Sequence, residues 1–203
     1  MLQKVKLDKL VILFLILLCN LAYGDASVSN SAYLKRIAIL PLRNLSVGSV
    51  DETKIRNFLA DALKNKENVQ VINISTSDDI LKENKFLDNK KIELDKLQQI
   101  GEILHADGLI FGNITTYHIP SQGEKSAGAI IPLSSAIAKV EVSLQLYDTN
   151  LRKIIWGKLI TGYSKPFVLK IESLAVNIDS ALDSLKKEFG YYWSKEVEKK
   201  YKN

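Results

Sequence analysis

From Lys139 onward the chain alternates: Val140, Val142, Leu144 and Leu146 are apolar, while Lys139, Glu141, Ser143 and Gln145 between them are polar. A period of two with β-branched residues predicts a strand with one buried face. Asp148-Thr149-Asn150 supplies turn chemistry, and Ile154-Ile155-Trp156 starts a strand running back. A hairpin is therefore expected, preceded by a strand from about Leu109 to Tyr117. Earlier in the chain, Ile37, Ala38, Ile39 and Leu40 form an unbroken apolar run stopped by Pro41, the pattern of a buried first strand. Ile55, Phe58, Leu59, Ala62 and Leu63 then recur at i, i+3, i+4, i+7 and i+8. That spacing predicts an amphipathic helix over 52–65, with Asp51 or Ser49 as its cap. Residues 69–74 read as a short strand, and Ser75 to Asp79 as the capping start of a short helix. Leu94, Leu97, Ile100, Gly101 and Leu104 mark a helix face ending near His105. Val168, Ile171, Leu174, Ala175, Ile178, Leu182 and Leu185 mark another over 167–189, with Gly190 expected to end it. The order β-α-β-α-β-β-β-α predicts an α/β fold: a single mixed β-sheet of about five strands with helices packed on it.

The amino terminus follows a different rule. Lys4, Lys6 and Lys9 precede an apolar run from Leu10 to Cys19, and Ala22-Tyr23-Gly24 places small residues before Asp25. This is the pattern of a secretory signal peptide over 1–24, with a run too short to span a bilayer as a helix. The alternative is lipidation at Cys19, the only cysteine in the chain; Leu18 stands where a lipoprotein signal wants a small residue. The expected organisation continues with a flexible lead-in over 25–34, one α/β domain over 35–190, and an aromatic, then charged, tail over 191–203. Export follows from the leader.

Composition adds little beyond excluding some classes. The 203 residues are 46% hydrophobic and 25% charged, as in an ordinary globular protein. The net charge of +5 falls to +3 once the leader's Lys4, Lys6, Lys9 and Asp8 are set aside. Such a weak and scattered excess gives no reason to expect nucleic acid as a partner. Chemistry is sparse too. His105 and His118 are the only histidines and have no ligand-like spacing between them. Gly108 to Gly112 lies inside an apolar strand, where glycines permit close packing rather than cradle phosphate. Asp78-Asp79 reads as a helix cap, and no serine stands in a nucleophile elbow. The Asn-x-Ser/Thr matches at Asn44, Asn73 and Asn113 matter only in a eukaryotic secretory pathway. No catalytic residue, metal ligand or cofactor is expected.

One segment stands out. Residues 119–137 join two strands where a hairpin needs two to five residues, and long loops in compact domains are usually functional or disordered. Its second half holds Ile130, Ile131, Pro132, Leu133 and Ile137, apolar residues that a solvated loop would not favour. Two readings stay open: a flap over the domain's own core, or a surface for a second copy, a partner or a membrane.

Three pieces resemble one bacterial envelope superfamily. They are Arg36 to Asn44, with its apolar strand, Pro41 and Asn44; His105 to Ile114; and Val142 to Thr149 followed by Ile154-Ile155-Trp156. The superfamily includes the curli secretion channel, the lipoprotein activator of penicillin-binding proteins, the ring lipoprotein of Pel export and the amino-terminal domain of the Tol-system β-propeller protein. The resemblance implies the periplasm or the outer membrane as the destination of export, envelope or secretion proteins as partners, homo-oligomerisation and peripheral membrane contact. Segment 119–137, with Pro120 and Pro132, is too short for the barrel hairpins of the curli channel, so no pore of its own is expected. The expected function is that of a non-enzymatic accessory in secretion or envelope assembly, acting through residues 119–137 and the hairpin edge. The alternatives are a small-ligand binding module or a glycan-processing hydrolase with an unrecognised site.

Overall fold

The computed structural model describes residues 34–87, 92–118, 137–164 and 174–201. The leader, Cys19, the first part of the lead-in and Ile130, Ile131, Pro132 and Leu133 lie outside them. The described strands are β1 (Arg36–Ile39), β2 (Arg43–Asn44), β3 (Gln70–Val71), β4 (Gly108–His118), β5 (Lys139–Asp148) and β6 (Lys153–Tyr163). They form one mixed sheet in the order β3-β1-β4-β5-β6, with β2 pairing β4 beyond the end of β1. β3, β1 and β2 run parallel to their neighbours, and β4, β5 and β6 are antiparallel to one another. This is the expected α/β architecture.

Four helices flank it: α1 (Glu52–Leu63), α2 (Ile74–Glu83), α3 (Leu97–Leu104) and α4 (Leu174–Tyr192). One face of the sheet packs on α1 and α4. Ile37, Ile39, Ile110, Val140, Val142, Leu144, Leu146, Trp156 and Ile160 meet Ile55, Leu59 and Leu63 of α1 and Ile178, Leu182, Leu185 and Phe189 of α4. Val140, Val142, Leu144 and Leu146 are fully buried, as their alternation requires. The opposite face packs Ala38, Leu40, Leu109, Phe111 and Tyr147 on Leu81 of α2 and Leu97, Ile100 and Leu104 of α3. That second cover reaches only the Tyr147 end of β5.

Caps follow the sequence at some ends and not at others. Asp51 accepts from Lys54 N at 2.9 Å, as expected. The second strand is shorter than residues 69–74, because Asn73 caps Thr76 N and Ile74 already opens α2 with its side chain in the core. Asp78 therefore lies inside α2 rather than at its start, and it meets Arg56 of α1 with two 2.7 Å bonds. Arg56 is fully buried and also donates twice to Ile39 O, bonding a β1 carbonyl beyond the end of β3. Burial pushes the neighbouring Glu52 carboxyl above its usual range, although its acceptance of Leu42 N at 2.8 Å works the other way.

The expected stop at Gly190 does not occur. The helix continues through a π-helical stretch, Trp193–Glu198, and a last turn, Lys199–Tyr201. Trp193 and Val197 are buried in the same core as Phe189, so residues 191–201 are part of the domain rather than a tail. The signal missed was spacing: Phe189, Trp193 and Val197 continue the α4 stripe at i, i+4, i+8. Gly190 takes no left-handed conformation and leaves the ladder intact.

Candidate contact surface on the open half of the sheet

β6 is an edge strand of 11 residues, and the second cover of helices does not reach it. On that side, which no other described element covers, the register sets side chains in rows. Arg43, Asn113, Ser143 and Leu159 form one row across β2, β4, β5 and β6. Thr116, Glu141 and Thr161 form the next, then His118, Lys139 and Tyr163. Ile154, Leu159 and Tyr163 of β6 are 42%, 55% and 51% exposed. Within one strand, then, the inward positions Trp156 and Ile160 are buried while the outward apolar positions stay in water.

The polar part of this surface is organised around Glu141. Thr116 Oγ1 donates to it at 2.7 Å, Thr161 Oγ1 at 3.3 Å, and Lys139 Nζ lies 3.2 Å away. The Thr116 hydrogen bond, with help from Lys139, holds the Glu141 carboxyl below its usual range. Such a group orders a surface and carries no proton at neutral pH. Behind the sheet, Trp156 Nε1 and Lys158 Nζ both donate to Glu196 at 2.8 Å, and the Lys158 ammonium lies 4.0 Å from the Tyr192 ring centroid. These contacts tie β6 to the end of the last helix.

The other sequence candidates fall into structural places. His105 closes α3 in a left-handed conformation, φ 50°, and His118 is exposed at the end of β4. Gly112 does permit close packing, since a Cβ there would run into the Ser143 carbonyl. Ile137 is half-buried just before β5 and is the only one of the five apolar loop candidates among the described residues. The described residues hold no group of three His, Cys, Asp or Glu that could bind a metal ion. No helix among them is long and apolar enough to cross a membrane.

Comparison with known proteins bears out the family resemblance. Residues 28–164 match the family model described as curli production assembly/transport component CsgG. The chain belongs to the CsgG family. The match spans all six strands and ends at Ser164, so it includes the open surface but not α4. No curated protein matches. Among solved structures, the lipoprotein GNA1162 from Neisseria meningitidis shares the fold at 14% identity, with a TM-score of 0.50 over 75% of this chain and 98% of that one. The PelC dodecamer from Paraburkholderia phytofirmans gives 9% identity and a TM-score of 0.47 over 79% of this chain and 86% of that one. The LpoB carboxy-terminal domain from Salmonella enterica gives 12% and 0.45, over 63% of this chain and 82% of the domain.

Several polar residues within the matched span are staples of the fold. Asp107 Oδ2 accepts from Lys35 N and Arg36 N at 3.0 and 2.8 Å, fixing the start of β1. Thr149 Oγ1 donates to Ala106 O at 2.7 Å, and Asp148 Oδ1 accepts from Asn150 N and Leu151 N, closing the hairpin turn. Asn44 accepts from Ser46 N and donates to Gly48 O, shaping the loop before α1.

Proposed function

We propose that this CsgG-family chain is a non-enzymatic accessory of secretion or envelope assembly that works through protein–protein contacts. The family is described by assembly and transport in curli production, which supports that class of role. The observation that carries the reading is the open half of the sheet. An exposed edge strand with unpaired backbone and apolar side chains is a ready template for a partner, and β6 presents Ile154, Leu159 and Tyr163 there. We place copies of the same chain and other envelope proteins among those partners. Export through the 1–24 leader, Cys19 as the alternative lipid anchor, and partner or membrane contact by Ile130, Ile131, Pro132, Leu133 and Ile137 belong to the same proposal; the sequence pattern supports them.

The test is solution mass and melting temperature of a Leu159→Lys, Tyr163→Ser double variant. Both side chains face water, so stability should change by less than about 0.5 kcal/mol. Loss of higher-mass species at unchanged melting temperature supports the contact role. A variant that assembles as the parent does removes β6 from the interface.

A further inference from the structure

A cleft of about 260 Å³ opens where the α3 side of the sheet gives way to the uncovered side. Its floor is the row Arg43, Asn113 and Ser143 together with Phe111 and Gln145 from the adjacent row. Its outer wall is Leu94, which is 60% exposed in the turn before α3. Among the described residues, the lining carries a single charge, that of Arg43, and no carboxylate. Among the described residues, the Arg43 guanidinium and the side chains of Asn113, Ser143 and Gln145 make no hydrogen bond or ion pair. The backbone around Arg43 is nevertheless held on both sides: Leu42 N donates to Glu52 and Leu45 N donates to Ile114 O, each at 2.8 Å. The cleft therefore offers an exposed guanidinium on a fixed stretch of backbone, two carboxamides and a hydroxyl beside an apolar wall, and none of these side chains bonds to another described residue.

Size and charge together select a ligand class. The volume lies just under the roughly 300–1,000 Å³ of drug-sized pockets, so the occupant is small. A planar guanidinium matches a carboxylate through two parallel hydrogen bonds, and no anion in the lining competes for it. We propose that the cleft binds a free carboxylate carried beside a short aliphatic group. The carboxylate sits on Arg43 with Asn113 and Gln145 donating to it, and the aliphatic group lies against Leu94 and Phe111. Two sources supply that chemistry: a free small carboxylate, or the carboxy-terminal residue of a polypeptide. The inference rests on the cleft's own lining and stands apart from assembly through β6.

Titration of the purified ¹⁵N-labelled full chain with N-acetyl-leucine and with N-acetyl-leucinamide tests it. The acid should give saturable shifts at the Gly112, Asn113 and Ser143 amides at millimolar concentration, and the amide should give none. Arg43→Gln should weaken the acid at least tenfold while the melting temperature stays unchanged, and Arg43→Lys should fall between. Acetyl-Gly-Gly-Leu binding more tightly than acetyl-leucine identifies a polypeptide end as the source; equal binding identifies a small carboxylate. Absence of saturable shifts, equal affinity for acid and amide, or an Arg43→Gln variant that binds as the parent does overturns the proposal.

Discussion

The two faces of the sheet are built from the same strands but are finished differently. One face is closed by α1, α4 and the π-helical end, so the inward positions of β4, β5 and β6 are buried. Among the described residues, the other is closed only over β1, the beginning of β4 and the end of β5, and its remaining half presents Asn113, Glu141, Ser143, Leu159 and Tyr163 to water. Alternation along β5 marks its apolar face but not how far helices cover the polar one. Only the placement of the helices separates a face that stabilises from a face left available.

Truncation at the centre of the closed face should have the largest effect. Phe189 is fully buried and packs on Trp156 and Trp193 at centroid distances of 6.3 and 6.1 Å. Phe189→Ala should cost about 3–5 kcal/mol in chemical denaturation. A loss comparable with that of an exposed site would mean that the helix end does not close this face. Arg56→Ala should come next, at about 3 kcal/mol, because it leaves Asp78 and the Ile39 carbonyl without their donor. The Asp78 side chain keeps 32% of its surface in water, which holds the cost to the lower end for a broken buried pair.

Two glycines of β6 test the comparison inside one strand. A Cβ on Gly162 would run into the Ala181 carbonyl of α4, whereas one on Gly157 would meet only ordinary contacts at 3.7 Å. Gly162→Ala should cost about 1–3 kcal/mol by overpacking, and Gly157→Ala should stay within about 0.5 kcal/mol. Equal effects at the two sites would erase the distinction between the faces. The smallest effect is electrostatic. The Glu141 carboxyl is held below its usual range in the folded chain, chiefly by Thr116, so its contribution is present above the ordinary carboxylate range and is lost as pH falls through the lowered value. Glu141→Gln should lower the neutral part of a melting temperature–pH profile slightly and flatten its acid limb.

Much of this is legible in the sequence, and the rest is not for two reasons, one local and one tertiary. The hairpin and α1 follow from periods of 2 and 3.6 in Val140 to Leu146 and Ile55 to Leu63, since one buried face writes itself into the sequence. Trp193 and Val197 were read as tail because Gly190 outweighed a stripe that continued past it. Asp78 was read as a cap because its partner, Arg56, lies 22 residues away, and no local rule pairs residues at that distance. The open half of the sheet was half legible. The polar residues between Val140 and Leu146 show that one face lacks a continuous apolar cover, but α3 reaching only the Tyr147 end of β5 is a tertiary fact. The cleft beside Arg43 was invisible, because three strands from distant parts of the chain meet there.

The central claim is that the closed face holds the fold while the open half serves as a contact surface. Residue-resolved hydrogen exchange, compared between concentrated and dilute protein, tests it most directly. β5 amides should be equally protected in both, since they lie between β4 and β6. β6 amides should gain protection only in the concentrated sample, and that gain should vanish in the Leu159→Lys, Tyr163→Ser variant. Exchange of β6 that is the same at both concentrations, in a protein whose mass rises with concentration, would contradict the account and move the interface elsewhere.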